Sequence, residues 1–346
     1  MKADMGWIDR HDPVQEVPAG HWEQGLPLGN GKIGAMVWAG SKDRPLTVSL
    51  DQAEIWELRG SKLAADKTWT EYKALLEQGR GNELDGFVYD SRKPHLMRIP
   101  VGRLELRNAG AVQSHRCRLS LRKARCEGRL KTDQGAADYA VWISAKRQLV
   151  VIEAEEACFT PVWKFICRDG DYTQEDIADS TVHHCYSGRF PTITELVRSW
   201  GYPAMEETEN NGIRLFAQEI PESGGFAVAF ARGEGCWLIS IQWSRSGAEE
   251  AGKMAIRAVL DGFSFGLARL RREHENWWAE YYKASQITIP DTRLEGYYYL
   301  ETYMLACCTR PEGPHMTLLG PWTDDTDYPP ICDNDYHWNN EQEMQI

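Results

Sequence analysis

The hydrophobic period of this chain changes once, near residue 245, and that change constrains the fold more than any other feature. Before it, apolar residues alternate with polar ones. Val101-Gly102-Arg103-Leu104-Glu105-Leu106-Arg107, Tyr139-Ala140-Val141-Trp142-Ile143 and Trp237-Leu238-Ile239-Ser240-Ile241-Gln242-Trp243 carry the two-residue repeat of strands. Leu149-Val150-Val151-Ile152 is a continuous apolar run, suited to a strand buried on both faces. Turn-forming clusters separate these segments: Asn108-Ala109-Gly110, Asp133-Gln134-Gly135, Asp169-Gly170-Asp171, Asn210-Asn211-Gly212 and Ser223-Gly224-Gly225. Many strands with frequent turns predict a mainly β domain, a large antiparallel sandwich over residues 1–245, interrupted by one helix from about Thr68 to Gly79.

After Ser244 the apolar spacing becomes three and four. Helices are expected over Ala248 to Gly262 and Phe263 to Ala284. The second carries Leu267, Leu270, His274, Trp277, Trp278 and Tyr281 as a stripe facing a partner. Residues 246–290 read as a helical linker. Pro290 and Asp291 open a further helix, Thr292 to Cys308, with Leu294, Tyr297, Tyr298, Glu301 and Leu305 on one side, so that 291–346 begins a second domain. That helix has no later helix to cover it, and Tyr336 to Ile346 reads as a helix without a terminating signal. Both lead to the expectation of a piece of a longer protein.

Several function classes are excluded by composition. A net charge of -12 repels phosphate backbones, so no nucleic acid is expected as a partner. No apolar run approaches the roughly 18–20 residues of a membrane span, and the first residues lack a secretory pattern. The cysteines number nine, with no CxxC pair, which suits reduced thiols in a cytoplasm. His183-His184 would point to opposite faces of a strand, Gly29-Asn30-Gly31-Lys32 lacks the spacing of a phosphate loop, and no GxSxG occurs. Neither a metal nor a cofactor is expected. What remains is carboxylate chemistry. Asp324, Asp325, Asp327, Asp333 and Asp335 lie close to Trp322, Tyr328, Tyr336, His337 and Trp338, acids beside aromatic faces as in a glycosidase site. A solvated acidic loop would have the same composition.

A longer pattern bears on that choice. Trp22-Glu23-Gln24-Gly25-Leu26-Pro27-Leu28-Gly29-Asn30-Gly31-Lys32-Ile33-Gly34-Ala35-Met36-Val37-Trp38, followed by Leu50-Asp51-Gln52-Ala53-Glu54-Ile55-Trp56, resembles the amino-terminal signature of glycoside hydrolase family 95, the α-L-fucosidase and α-L-galactosidase family. Ile99 to Leu106, His274 with Trp277-Trp278, and Leu318-Leu319-Gly320-Pro321-Trp322 follow in the family's order. The resemblance implies a sandwich, linker helices and then an (α/α)6 barrel. It also implies inverting hydrolysis, in which a Glu protonates the leaving oxygen and an Asp, aided by two Asn residues spaced N-x-N, activates water. Here Asn339 stands at the first of those positions and Glu341 replaces Asn at the second. Asn339 and Glu341 are therefore the base-assisting candidates. On chemistry alone, His337 and Trp322 are candidate sugar contacts, although Trp322 suits equally a packing role between sandwich and barrel. The acid and base themselves are expected beyond residue 346, leaving this portion inactive alone. The turn Gly29-Asn30-Gly31 is expected to be structural, its glycines supplying positive φ between strands. The expected partner is an oligosaccharide or glycoside substrate. A stand-alone carbohydrate-binding sandwich and a non-catalytic scaffold are the alternatives.

Overall fold

Alternating side chains carry the first part of the chain into two antiparallel sheets whose apolar faces meet. The structure is a computed structural model and describes residues 6–42, 44–59, 68–80, 94, 96–155, 158–173, 176 and 193–325. In chain order the strands are β1 (Val14–Gln15), β2 (Leu26–Gly29), β3 (Ile33–Ala39), β4 (Leu46–Gln52), β5 (Trp56–Glu57), β6 (Met97–Arg98), β7 (Gly102–Asn108) and β8 (Val112–Ser120). They continue with β9 (Arg125–Thr132), β10 (Gly135–Ile143), β11 (Val150–Ala154), β12 (Phe159–Phe165), β13 (Glu206–Asn210), β14 (Ile213–Ile220), β15 (Gly224–Gly233) and β16 (Cys236–Ser244). One sheet has nine strands, ordered β1-β8-β9-β10-β11-β16-β15-β14-β13, and the other five, ordered β12-β7-β4-β3-β2. β5 and β6 form a separate pair.

Each sheet contributes every second residue to the space between them. Val37, Val48, Leu50 and Leu104 meet Leu119, Val141, Ile152, Val228 and Ile239, all buried in one core. Trp163, Phe165, Phe216 and Phe230 close one end with ring centroids 4.5 to 5.8 Å apart. The predicted turns fall between strands. Asn211 and Gly212, both at positive φ (51° and 74°), make the two-residue hairpin between β13 and β14 that an Asn-Gly pair favours.

The helices are α1 (Trp69–Glu77), α2 (Ile193–Ser199), α3 (Ala248–Phe265), α4 (Leu267–Lys283) and α5 (Thr292–Cys308). α1 begins at Thr68, whose hydroxyl and main chain exchange hydrogen bonds with Glu71 in a capping box. The break between α3 and α4 lies at Gly266 (φ 86°), four residues later than the sequence pattern placed it. α3 lies on the outward face of the nine-stranded sheet, where Ala227, Ala229 and Ala231 of β15 leave room for Ala251, Ala255 and Val259. This second core covers only part of that face. α4 buries Leu270, His274 and Trp278 of the expected stripe and, beside them, Tyr282, with Trp277 and Tyr281 half-buried and stacked at 5.5 Å. Among the described residues no helix is long and apolar enough to cross a membrane.

α5 departs from expectation. Its buried residues are Glu295, Tyr299, Tyr303, Ala306, Cys307 and Cys308, while Leu294, Tyr297 and Leu305 of the predicted apolar side are exposed. Tyrosines occur on both sides of this helix, and hydroxyl placement decides between them. Tyr299 and Tyr303 each find a backbone carbonyl, of Ile287 at 2.6 Å and Pro27 at 2.8 Å. Trp7 and His11 of the 3-10 turn Gly6–His11 pack on the Tyr299 ring at 4.8 and 5.4 Å. Beneath them the Glu295 carboxylate accepts from Arg10, from the Ile289 N–H at 2.8 Å, and contacts His11 Nε2 at 2.8 Å.

Arg10, then the Ile289 N–H and His11, hold the Glu295 carboxyl down at about 2. A depressed carboxyl stabilises the fold fully above its ordinary value of 4.5, and that contribution is lost as the pH falls through 4.5 toward about 2. Glu295→Gln is therefore expected to lower the Tm at neutral pH. Thermal scans should show its deficit against the natural chain shrinking over that acid range, and a constant deficit would contradict the assignment.

Candidate functional site at the sandwich–helix junction

Asn30, buried in the turn between β2 and β3, uses its whole side chain. Its carbonyl oxygen accepts from the Lys32 and Ile33 N–H groups at 3.1 and 2.9 Å, and its amide donates to the Ser144 and Arg147 carbonyls at 3.0 and 3.1 Å. The turn thus faces outward as a rigid bracket. β2 is an edge strand of the five-stranded sheet, and the chain after residue 290 covers it. Tyr303 of α5 donates to Pro27 O, the Trp322 indole donates to Leu28 O at 2.9 Å, and the Gly31 N–H donates to Cys307 O at 2.7 Å.

The glycines permit this approach. A Cβ at Gly29 would stand 2.7 Å from Cys307 O, and one at Gly34 2.3 Å from Pro321 O. Positive φ, expected throughout the turn, is found at Gly31 (83°); at Gly29 and Gly34 the requirement is space.

The outward face of the five-stranded sheet is polar and yet buried. Arg98, fully enclosed, pairs with Asp51 at 2.9 Å and donates to the Gly320 and Pro321 carbonyls at 2.8 and 3.4 Å. Burial pushes the Asp51 carboxyl up to about 6 despite Arg98 and a hydrogen bond from Thr323. Further along the sheet, Asp325 accepts from the Tyr172 hydroxyl at 2.5 Å and from Ser49 at 3.0 Å, with Arg103 at 3.8 Å. Arg103 lies over the Tyr172 ring at 5.0 Å and bonds Asp176. The segment from Thr317 to Asp325 is thereby tied to the sheet at both ends.

Of the residues singled out in the sequence, Trp322 lies in this junction, 5% exposed, on the wall of an apolar cavity of about 500 Å³ shared with Trp22, Met36, Met304 and Met316. Asn339, Glu341 and His337 lie outside the described residues, as do His183 and His184. His274 is buried against Trp142 at 4.8 Å, accepts from the Ala145 N–H at 3.2 Å and sits 2.8 Å from Lys123 O. Burial pushes it down to about 4, so it holds a neutral ring in place. Arg98, Arg103 and Tyr172 were not among the sequence candidates. The signal available for Arg103 was its alternation with Leu104, which marks a polar face without showing what covers it.

Residues 14–162 match the family model described as glycosyl hydrolase family 65, N-terminal domain. The matched stretch includes the bracket at Asn30, Asp51, Arg98 and Arg103, so this part of the sandwich is of glycoside hydrolase type. No curated protein matches the chain. Among solved structures, a chain described as a candidate kojibiose phosphorylase from human microbiome aligns with a TM-score of 0.50 and 8% identity, over 82% of this chain and 36% of that one. At such identity the likeness is one of fold, and this chain spans about a third of that structure's length.

Replacing Arg98 leaves the Asp51 carboxylate buried without its cation. Arg98→Met should cost about 3–5 kcal/mol in urea unfolding, with part recovered in the double variant carrying Asp51→Asn. Gly34→Ala should leave the sandwich folded but release the segment around Pro321, read as new limited-proteolysis cuts between Thr309 and Asp325. Protection equal to that of the natural chain would refute the contact.

Proposed function

We propose that this chain is the amino-terminal portion of a glycoside hydrolase acting on α-linked sugars, the sandwich serving as the platform on which a helical catalytic domain starts. The observation that carries this reading is the docking of α5 and of Gly320 to Trp322 onto the Leu28-to-Gly34 bracket, within a stretch of glycoside hydrolase type. Such a platform has no use to a free sandwich, but it fixes where a following domain departs.

In this reading residues 291–346 open an (α/α)6 barrel, after a sandwich over 1–245 and a linker over 246–290. The chemistry is α-L-fucosidase-like and inverting. Asn339 and Glu341 orient the Asp–water pair that acts as base, and His337 and Trp322 contact the sugar. A Glu in place of the second Asn adds a negative charge beside the base and raises its proton affinity, which strengthens it as a base. Free buried thiols at Cys117, Cys126, Cys167, Cys236, Cys307 and Cys308 support a cytoplasmic location.

The product of the intact reading frame, assayed with an α-L-fucoside and with kojibiose, with and without inorganic phosphate, tests the proposal. Phosphate-independent release of the sugar as its β-anomer, followed by NMR, is the expected result, with Glu341→Ala lowering kcat about 10²–10⁴-fold. Turnover only with phosphate would make the protein a phosphorylase, and no turnover of any α-linked sugar would overturn the enzyme reading.

A further inference from the structure

Cys117 of β8 and Cys126 of β9 enter the core between the sheets from adjacent strands, their sulfurs 2.9 Å apart. Register makes them diagonal neighbours, Cys117 opposite Gly128 and Cys126 opposite Leu119. Gly128 has no side chain, and the Tyr139 ring of β10 takes the place where a Cβ would collide with it. The Tyr139 hydroxyl thereby donates to the Cys117 sulfur, and its oxygen lies 2.7 Å from His115 Nε2.

The two thiols are unequal. Hydrogen bonds from Cys126 and Tyr139 outweigh burial and hold the Cys117 thiol below its ordinary range, while burial pushes Cys126 well up. Burial also raises every other described cysteine, Cys158, Cys167, Cys236, Cys307 and Cys308. Access comes from the edge of the sheet. β1 pairs with β8 only at Cys117 and Arg118, and the ladder to β9 is irregular between Val112 and Ser114, so local opening there admits a small oxidant.

We propose that Cys117 and Cys126, with Tyr139 as hydrogen-bond donor to Cys117, form a redox switch that closes to a disulfide on exposure to hydrogen peroxide. The Cys117 sulfur attacks one peroxide oxygen: an S–O bond forms, the O–O bond breaks, and the other oxygen leaves as water with the thiol's proton. The Cys126 sulfur then attacks the Cys117 sulfenic acid: the S–S bond forms, the S–O bond breaks, and hydroxide leaves as water with the second proton. Two thiols thus give two electrons and two protons to one peroxide. The sulfurs need close by only about 0.9 Å to reach bonding distance. The bond clamps β8 where it carries the amino-terminal segment, through the Leu119 N–H to Pro13 O at 2.9 Å and the Leu121 N–H to Asp12 at 2.8 Å. Oxidation therefore stiffens the anchor of the 3-10 turn that packs on α5.

The test is peptide mapping by mass spectrometry, without reduction, of the full chain treated with hydrogen peroxide under native conditions and then alkylated. A Cys117–Cys126 crosslink is expected, two hydrogens lighter than the dithiol and reopened by dithiothreitol. In Cys126→Ser the Cys117 sulfenic acid should persist and be trapped by dimedone. Tyr139→Phe should slow crosslinking at least about fivefold. Both thiols still free after peroxide, a crosslink formed only in urea, no dimedone adduct in Cys126→Ser, or a rate indifferent to Tyr139→Phe would each overturn the proposal.

Discussion

The junction between the sandwich and the helix that follows it depends on the backbone-to-backbone approach of Gly29 to Cys307 and of Gly34 to Pro321, with the Gly31 N–H donating to Cys307 O. A Cβ at Gly29 or Gly34 would stand 2.7 or 2.3 Å from a carbonyl oxygen, so side chains here would push the two stretches of chain apart and lengthen the hydrogen bonds across the junction. The rest of the junction is conditional on that contact. Only with the backbones in contact do Tyr303 and Trp322 reach the carbonyls of Pro27 and Leu28, and only then is the edge of the five-stranded sheet covered. The bracket is held in turn by Asn30, which exchanges its hydrogen bonds with two separate parts of the sandwich.

The buried charges beside the bracket act differently. Asp51 is pushed up to about 6 because desolvation outweighs the attraction of Arg98, so ionising this carboxyl weakens the native state. Its contribution is most favourable below the ordinary aspartate range and declines as the pH rises toward 6. A hydrophobic pair of similar volume would hold the sheets as well. What the guanidinium adds is direction: it takes the carbonyls of Gly320 and Pro321 and fixes the register of that segment on the sheet.

Much of the sandwich was legible because strand period and turn chemistry are local properties. Gly102 to Arg107, Tyr139 to Ile143 and Trp237 to Trp243 all lie in strands, with Val101 just before the first of them, and the glycine-containing turns fall between strands. Fold class followed from those alone. α5 was misread because burial there is set by what lies beneath: Leu294 and Leu305 are more apolar than Glu295, yet Arg10 and His11 await the carboxylate. The same limit applies at the candidate site. Gly29, Asn30 and Gly34 stood out as a motif, but their function as a docking surface depends on Cys307 and Pro321, 278 residues after Gly29 and 287 after Gly34. Nor could alternation at Arg103 announce that Asp325 would lie beside it.

The Glu295 cluster joins residues 284 positions apart. A ribosome releases His11 long before α5 exists, and the 3-10 turn it belongs to has little to pack on until Tyr299 arrives. The bracket at Asn30 likewise waits, its own amide unsatisfied until Ser144 and Arg147 are in place. Both contacts are thus long-range: the bracket needs Ser144 and Arg147, and the turn needs α5. The 3-10 turn Gly6–His11 therefore stays incomplete until α5, far along the chain, closes over it.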